Sequence, residues 1–419
     1  MRDRLVTYSG WLVAAGALVA GVPLFLRMPP WCDLTLYDLA AQNLLRGGVH
    51  YRDVFDTNLP GFVWALAAVQ AVFGESVVAV RAVDLAVVAA ITAVLARQVG
   101  ETGGTAATQA WFVAGVALFY PFTTEFNHAQ RDVWMLLPAL AAFRLRLAGR
   151  APFTEGLLWG CAVWVKPHAL VPALAVWLVS AWLRRPGRPL GTLPLFAGGS
   201  LLGALGVAVM AASGAWPGFV EVFLVWNPEY TAGTLTELRQ RVPTTLQYFA
   251  PWSLMHVVTV PMAVAHLALV RRPNPVARPR ALFAALYLSW MLQALVIQRG
   301  LEYVHVPETL LALAILGAHQ AAAGAAALGG AEAVGQGMRV LPIAVAKLRT
   351  GEAAGLCAGL AHQVHGAIGF TYEHGLHYLT KRLLSWRNEF GNEAEWGLLL
   401  GRHFAAAGAD RLWSEITSA

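Results

Sequence analysis

Apolar runs recur along residues 1–320, and short arginine-rich segments separate them. About 20 mostly apolar residues are enough for a helix to cross a bilayer. Eleven runs can be traced, which predicts about 10–11 hydrophobic segments: 8–26, 60–73, 77–96, 106–121, 132–143, 154–165, 168–183, 190–213, 250–270, 281–297 and 304–320. The chain is 57% hydrophobic and only 13% charged, whereas soluble domains usually have about 25% charged residues. The sequence therefore predicts an all-α, polytopic transmembrane helical bundle.

The arginine clusters mark one side of this bundle. They are Arg2/Arg4, Arg144/Arg146/Arg150, Arg184/Arg185/Arg188 and Arg271/Arg272/Arg278/Arg280. The positive-inside bias predicts that this side is cytoplasmic in a bacterial inner membrane. Loops 27–60, 122–131, 214–249 and 298–303 then fall on the outer, periplasmic side. The short run 60–73 is expected not to cross the membrane alone, because crossings must alternate and runs of this length are often re-entrant.

The charge distribution bears on the partners of the chain. Residues 1–320 contain 22 Lys and Arg against 16 Asp and Glu, whereas the last 99 residues contain 8 of each. The positive clusters lie beside apolar runs and not on a face interleaved with exposed aromatics, so membrane lipids are expected partners and nucleic acid is not. Three scattered cysteines predict neither a disulfide framework nor a metal site. The body also has no nucleotide-binding loop, which predicts a lipid-borne donor for any group transfer.

The first outer loop is rich in carboxylates. Residues 27–60 contain Asp33, Asp38, Asp53 and Asp56. Such a set would be repulsive unless a cation or a hydroxyl-rich ligand were shared, which favours a binding or catalytic role. The alternative is a solvated loop in which Asp33 caps the helix that begins near Leu34 while Asp53 and Asp56 serve turns.

Cations stand at the edges of three outer segments. Arg131 could pair with the neighbouring Asp132 or bind a phosphate with its planar fork. Lys166, the only lysine before residue 347, is followed by His168, so the position suits either a lipid phosphate or a tryptophan-flanked interfacial anchor. The last outer loop adds Arg299 and His305 to the same face.

Residues 5–320 resemble the GT-C superfamily of polytopic glycosyltransferases, which includes protein mannosyltransferase-like and aminoarabinose transferase-like enzymes. The resemblance rests on motifs in a characteristic order: Asp33 with Tyr37, Leu-Leu-Arg-Gly-Gly-x-x-Tyr-Arg-Asp at 44–53, Pro60, Phe-Gly-Glu-Ser at 73–76 with Arg81, Gln-Arg-Asp at 130–132, Lys-Pro-His at 166–168, and Gln-Arg-Gly at 298–300 through Tyr303, His305 and Pro307. The Asp-Glu pair and the Lys-Pro-Pro of many members are replaced here by Asp33-Leu34 and by Asn58-Leu59-Pro60.

This resemblance implies an inverting transfer of sugar from a polyprenyl-phosphate donor to an acceptor hydroxyl. Asp33 matches the general base of the family. Arg131, Lys166 and Arg299 are then the phosphate candidates, Asp53 and Asp56 would orient sugar or acceptor, and His168 and His305 complete the substrate-binding set. The transfer would need no cofactor, and metal dependence is left open.

Residues 330–416 resemble instead the C-terminal helical domain of acyl-CoA dehydrogenases. The resemblance rests on Ile343–Ala354, on the run from His362 to His374, and on Leu383–Trp396. It implies that Gln363, His365, Gly366 and Gly369 form a turn near the adenine end of FAD bound mainly by another flavoprotein subunit; the competing interpretation is a plain helix–helix turn. Phe390 precedes Gly391 where many members carry the catalytic Glu, so dehydrogenase activity is not expected.

The sequence thus predicts two domains, 1–320 and 321–419, joined by frameshift, deletion or misassembly, with a natural fusion as the alternative. The leading hypothesis is a membrane glycosyltransferase acting at the outer face, with an inert, cytoplasmic dehydrogenase-like tail. Two rivals stay open: a transporter of a lipid-linked saccharide, and a membrane-tethered FAD-binding oxidoreductase fragment that needs a partner.

Overall fold

The computed structural model describes residues 2–184, 189–228, 244, 247–250, 252–268, 270, 276–298, 300–317, 340–365, 369, 371, 375–389 and 391–408. Helices make up most of these residues, and the extended pairing recorded among them is an isolated bridge between His50 and Val54. The predicted all-α class is therefore confirmed for the described part of the chain. The predicted domain boundary at 320/321 lies outside the described residues.

The helices of the first domain follow the apolar runs. In chain order they are α1 Arg2–Arg27, α2 Cys32–Leu45, α3 Gly61–Phe73, α4 Val77–Glu101, α5 Ala106–Phe119, α6 Arg131–Ala148, α7 Pro152–Val165, α8 Leu170–Trp182, α9 Thr192–Ala212, α10 Trp216–Glu221, α11 His256–Ala268, α12 Ala277–Leu292 and α13 306–317. Short 3₁₀ segments at Tyr120–Phe122, Glu125–Asn127, Pro167–Ala169 and Glu302–His305 lie between them.

Four helical stretches of the described chain are long and apolar enough to cross a membrane: Arg4–Arg27, Val77–Glu101, Thr192–Ala212 and Ala277–Ile297. Other apolar helices, such as Pro167–Trp182 and Trp252–Ala268, have 10–17 residues. Since about 20 residues are needed to span the hydrocarbon core, these do not reach that length alone. These four candidate spans of the described residues are consistent with a membrane protein, and they are fewer than the apolar runs of the sequence.

Helices α6 and α7 form an antiparallel hairpin that gives the bundle two distinct ends. Helix α6 begins at Arg131 and has 18 residues, so it is about 27 Å long. Gly149 takes a left-handed conformation (φ 64°) and ends it, and α7 then returns to Val165. Arg131 and Lys166 therefore lie at one end of the bundle and Arg146 and Arg150 at the other. We call the first the carboxylate end, because Asp132 lies there beside Lys166, and the second the arginine end.

Helix α3 lies at the carboxylate end. Its 13 residues extend over about 20 Å, less than the roughly 30 Å of a hydrocarbon core. It starts against the end of α7, since a Cβ on Gly61 would lie 2.4 Å from the carbonyl of Trp164. Early in α4, Arg81 donates a hydrogen bond of 2.6 Å to the carbonyl of Pro29, at the same end as the loop after α1. The expectation that 60–73 does not cross alone agrees with this geometry.

An aromatic core holds α2, α3 and α6 together. The ring of Phe62 makes edge contacts with Tyr37 at 5.3 Å and with Trp134 at 5.1 Å between centroids. All three side chains are buried. Such pairs contribute beyond the apolar area that they bury. The start of α2, which carries Asp33, is thereby held beside the start of α6.

The tail contains three described helices, α14 Val340–His365, α15 Leu376–Asn388 and α16 Glu393–Ala407. Lys347 of α14 donates to the carbonyls of Trp386 at 3.2 Å and Glu389 at 2.7 Å, which connects α14 to the end of α15. Asn392 and Glu395 form a reciprocal capping box that begins α16. Together these three helices form a small helical unit.

Candidate active site

A buried ion pair lies at the carboxylate end, between Lys166 and Asp132. The Nζ atom of Lys166 lies 2.6 Å from Oδ2 of Asp132 and also donates to Oε1 of Gln298. The side chain of Lys166 is 7% exposed, and that of Asp132 is fully buried. Lys166 stands in the break between α7 and the 3₁₀ turn before α8. Its burial lowers the pKa of the ammonium to about 8, although the charge of Asp132 acts in the opposite direction.

Arg131 lies beside this pair and is almost as deeply buried. Its guanidinium stands over the ring of Tyr37 at 5.1 Å, and the charges of Asp56 and Asp132 act on it. Within the described residues, however, no acceptor or carboxylate is within hydrogen-bond or ion-pair distance of its nitrogens. A guanidinium has five N–H donors in a planar fork that suits phosphate. This fork is therefore available to an anionic ligand.

Asp33 faces the same cluster from α2. Its side chain is half-buried, and the charges of its carboxylate act on Lys166, Tyr37 and Tyr303. Among the described residues, its carboxylate accepts one side-chain hydrogen bond, a long one of 3.7 Å from Sγ of Cys32. It does not cap α2, because Trp31 is the N-cap residue and no side chain bonds there. The charge of the carboxylate thus acts on the cluster, and no strong partner among the described residues engages it.

Asp56 also belongs to the cluster, whereas Asp53 does not. Asp56 is buried and accepts hydrogen bonds from the backbone N–H of Asn58 at 3.0 Å and from its amide at 2.7 Å, and its charge acts on Arg131. Asp53 accepts instead from Val49 N–H at 2.7 Å and from the exposed Arg52. The bonds from Arg52 and from Val49 lower the pKa of Asp53. Asp53 therefore stabilises its own turn.

The two candidate histidines also differ: His168 lies near the cluster, whereas His305 belongs to another group of polar residues. His168 lies within range of the charges of Lys166, Asp132 and Arg131, and its Nδ1 atom is buried with no hydrogen-bond partner among the described residues. His305 instead bonds to Glu308 at 2.6 Å and interacts with His256, in a second buried polar group. Arg299 lies outside the described residues.

Sequence reasoning missed part of this site. It weighed Arg131 as the partner of Asp132, but the structure pairs Asp132 with Lys166. Gln298 donates a hydrogen bond of 3.1 Å to the other carboxylate oxygen of Asp132. The ammonium of Lys166 lies 5.6 Å from the ring centre of Tyr303. The signal was present, since Asp132, Gln298 and Tyr303 all fall in the motifs of the outer loops.

The described residues contain no group of three or more His, Cys, Asp or Glu side chains that could hold a metal ion. In the tail, Gln363 and His365 are exposed, and His365 Nδ1 bonds to the carbonyl of Ala361 at 2.8 Å. A Cβ on Gly369 would lie 2.9 Å from the Cβ of His365 and 3.2 Å from Leu376, so packing between the tail helices already explains this glycine. Gly366 lies outside the described residues, so the FAD-binding turn stays a prediction.

Comparisons of the chain with protein-family models, with curated proteins and with solved structures gave no match. The site itself is therefore the basis for assigning a function. Among the described residues it combines two buried cations, one with an unengaged fork, a carboxylate without a strong partner, and two phenol rings. Such a set can hold a phosphate while a hydroxyl loses its proton.

Proposed function

We propose that the chain is a membrane transferase that acts on a phosphate-bearing lipid. More specifically, it is a GT-C-like glycosyltransferase that moves a sugar from a polyprenyl-phosphate donor to an acceptor hydroxyl at the carboxylate end. The observation that carries this proposal is the buried Arg131, whose fork has no protein partner among the described residues although its charge and that of Asp33 both act on Lys166. Ionisable groups so close to a membrane are costly and mark functional sites.

The cations bind the phosphate of the donor. Arg131 offers two parallel N–H donors, and Lys166 is fixed by Asp132 and Gln298 so that its charge stays at one point. As the bond between the sugar carbon and the phosphate oxygen breaks, that oxygen keeps the electron pair. Both cations then stabilise a leaving group whose negative charge is growing.

Asp33 acts as the general base. It accepts the proton of the acceptor hydroxyl while the acceptor oxygen forms its bond to the sugar carbon from the side opposite the phosphate, which inverts the configuration. The products are the glycosylated acceptor, polyprenyl phosphate and a protonated Asp33, which then returns its proton to water. Asp56 holds the loop in place through Asn58 and adds negative charge beside Arg131.

In this proposal the carboxylate end faces the outside of the cell and the arginine end faces the cytoplasm, as the positive-inside bias predicts. The tail takes no part in the transfer. In this proposal the described helices of the tail contribute no acid or base to the cluster described above.

The experiment that tests the proposal separates transfer from transport. The purified chain is placed in liposomes with a polyprenyl-phosphate carrying a labelled sugar, together with hydroxyl acceptors. We expect label to leave the lipid and appear on an acceptor or as free sugar. If the label stays on the lipid and only changes leaflet, the same residues bind a lipid-linked saccharide for transport, and the transferase assignment is wrong.

A further inference from the structure

A second polar site lies at the arginine end, opposite the proposed active site. A cavity of about 630 Å³ opens between the α6–α7 turn, the end of α8 and the starts of α9 and α12. Among the described residues, four arginines and one carboxylate are the charged residues that line it: Arg146, Arg150, Arg184, Arg278 and Glu155. Pockets that hold small ligands have about 300–1,000 Å³, so this one has room for a headgroup.

Arg146 is the residue that distinguishes this cavity from a charged surface. It is only 5% exposed, its Nε donates to Glu155 at 2.8 Å, and its Nη1 donates to the carbonyl of Leu190 at 2.8 Å. Its Nη2 is buried and has no hydrogen-bond partner among the described residues. A buried donor without an acceptor is unfavourable, which indicates that a ligand supplies the missing acceptor.

The other arginines indicate that the ligand carries a negative charge. Arg150, Arg184 and Arg278 are exposed and line the same cavity, while Glu155, the one carboxylate among the described lining residues, is already engaged by Arg146. The cavity therefore has an excess of positive charge. The positive-inside bias accounts for exposed arginines beside a membrane, but it does not account for one that is buried with a free donor.

We propose that this cavity binds a phosphate group, with Arg146 as its buried anchor and the three exposed arginines around it. Guanidinium forks are suited to the tetrahedral oxygens of phosphate. Leu145, Leu183 and Leu190 provide apolar contacts beside the arginines, which suits the glycerol end of an anionic phospholipid. The site is independent of the transfer chemistry, since it lies about 27 Å away along α6.

The test compares lipid binding by matched variants of the full chain. Lipid-depleted protein is titrated with nanodiscs of phosphatidylglycerol in phosphatidylcholine, and bound lipid is counted by native mass spectrometry. Two variants address the cavity: Arg146→Gln with Glu155→Gln, which removes the buried pair together, and Arg150→Gln with Arg184→Gln, which changes only exposed residues. The control is Arg97→Gln, because Arg97 is 73% exposed and pairs with Glu101 outside the cavity lining.

We expect retention of phosphatidylglycerol to fall roughly 10-fold or more in both cavity variants and to stay within about 2-fold of the parent in Arg97→Gln. If all three variants lose retention equally, general surface charge explains the binding and the site does not exist. The same holds if phosphatidylglycerol is retained no better than phosphatidylcholine and phosphate does not bind.

A second arm identifies the source of the phosphate. Inorganic phosphate is titrated into the lipid-depleted protein in detergent, and its affinity is measured by calorimetry for the parent and for Arg150→Gln with Arg184→Gln. Binding of lipid alone assigns the site to a headgroup. Binding of inorganic phosphate that the variant weakens assigns it to a soluble phosphate, whereas unchanged phosphate binding in the variant contradicts the site.

Discussion

The ammonium of Lys166 lies 2.6 Å from a carboxylate oxygen of Asp132, across 34 positions of sequence. This ion pair joins the first residue after α7 to the first turn of α6, and Gln298 after α12 bonds to both partners. Three separate segments therefore meet at one buried charge pair. Because the charges of Arg131 and Asp33 both act on Lys166, two phosphate candidates and the candidate base lie at the same end of the bundle.

Removing one partner of this pair should destabilise the protein strongly. Asp132→Asn leaves the Lys166 ammonium buried without its carboxylate, which is expected to cost about 3–5 kcal/mol. The double variant Asp132→Asn with Lys166→Met should recover much of that loss, since no isolated charge remains. Thermal unfolding in one detergent measures both variants. Arg46→Gln is the control, because its pair with Glu75 is exposed and should contribute at most about 1 kcal/mol. Equal losses in all three variants would be inconsistent with this ion pair.

Donor binding should depend on pH through Lys166. Burial lowers the pKa of its ammonium to about 8 from an ordinary value of 10.5. Affinity for a polyprenyl-phosphate sugar should therefore be constant below about pH 7 and fall as pH rises through 8, because the neutral amine no longer attracts phosphate. The linked effect on stability has the opposite direction: between pH 8 and 10.5 the unfolded chain binds more protons, so stability rises with pH. In Lys166→Arg the fall in affinity near pH 8 should disappear, and its persistence would exclude Lys166 as the titrating group.

Arg131→Lys tests whether the fork geometry matters. Charge is kept, but the planar pair of donors is lost, so donor affinity should weaken roughly 10-fold or more. Equilibrium binding of a fluorescent polyprenyl-phosphate sugar measures the effect. Arg52→Lys provides a control at the same end, because Arg52 is 65% exposed and bonds only to Asp53 in the contacts recorded for it. If both variants bind like the parent, Arg131 does not hold the phosphate.

Gly61→Ala should disturb the contact between α3 and α7. A Cβ at this position would lie 2.4 Å from the backbone carbonyl of Trp164, so the helices must move apart at a cost of about 1–3 kcal/mol. Gly16→Ala in α1 is the matched control. A Cβ there meets nothing within 4 Å, so stability should rise by up to about 1 kcal/mol. Thermal unfolding of the two variants in the same detergent should therefore shift in opposite directions, and a shift of equal sign would contradict the close approach.

Much of the site could be anticipated because apolar runs and arginine clusters place whole loops on one side of a membrane. That reasoning brought Asp33, Arg131 and Lys166 to the same end, where the structure also places them. It could not predict which of these residues pair with each other at that end. Arg131 and Asp132 are adjacent in sequence, but successive residues of a helix do not face each other, which leaves Asp132 free to bond to Lys166.

The outer carboxylates show a second limit of prediction from the sequence. Asp53 and Asp56 are three residues apart in one polar loop and cannot be distinguished by sequence. The bridge between His50 and Val54 bends the chain so that Asp53 bonds within its own turn while Asp56 is buried near Arg131. Likewise, the pairing of His305 with Glu308 follows from a local helical turn, so its position in an outer loop did not indicate a place in the cluster.

The central claim is that Asp33 takes the acceptor proton while Arg131 and Lys166 hold the phosphate. The most direct measurement compares Asp33→Asn with the control Asp53→Asn, using turnover and equilibrium binding of the same polyprenyl-phosphate sugar. We predict that Asp33→Asn loses about 10²–10⁴-fold in turnover and keeps donor affinity within about 3-fold, while Asp53→Asn changes neither. Turnover at the parent rate in Asp33→Asn would contradict the account.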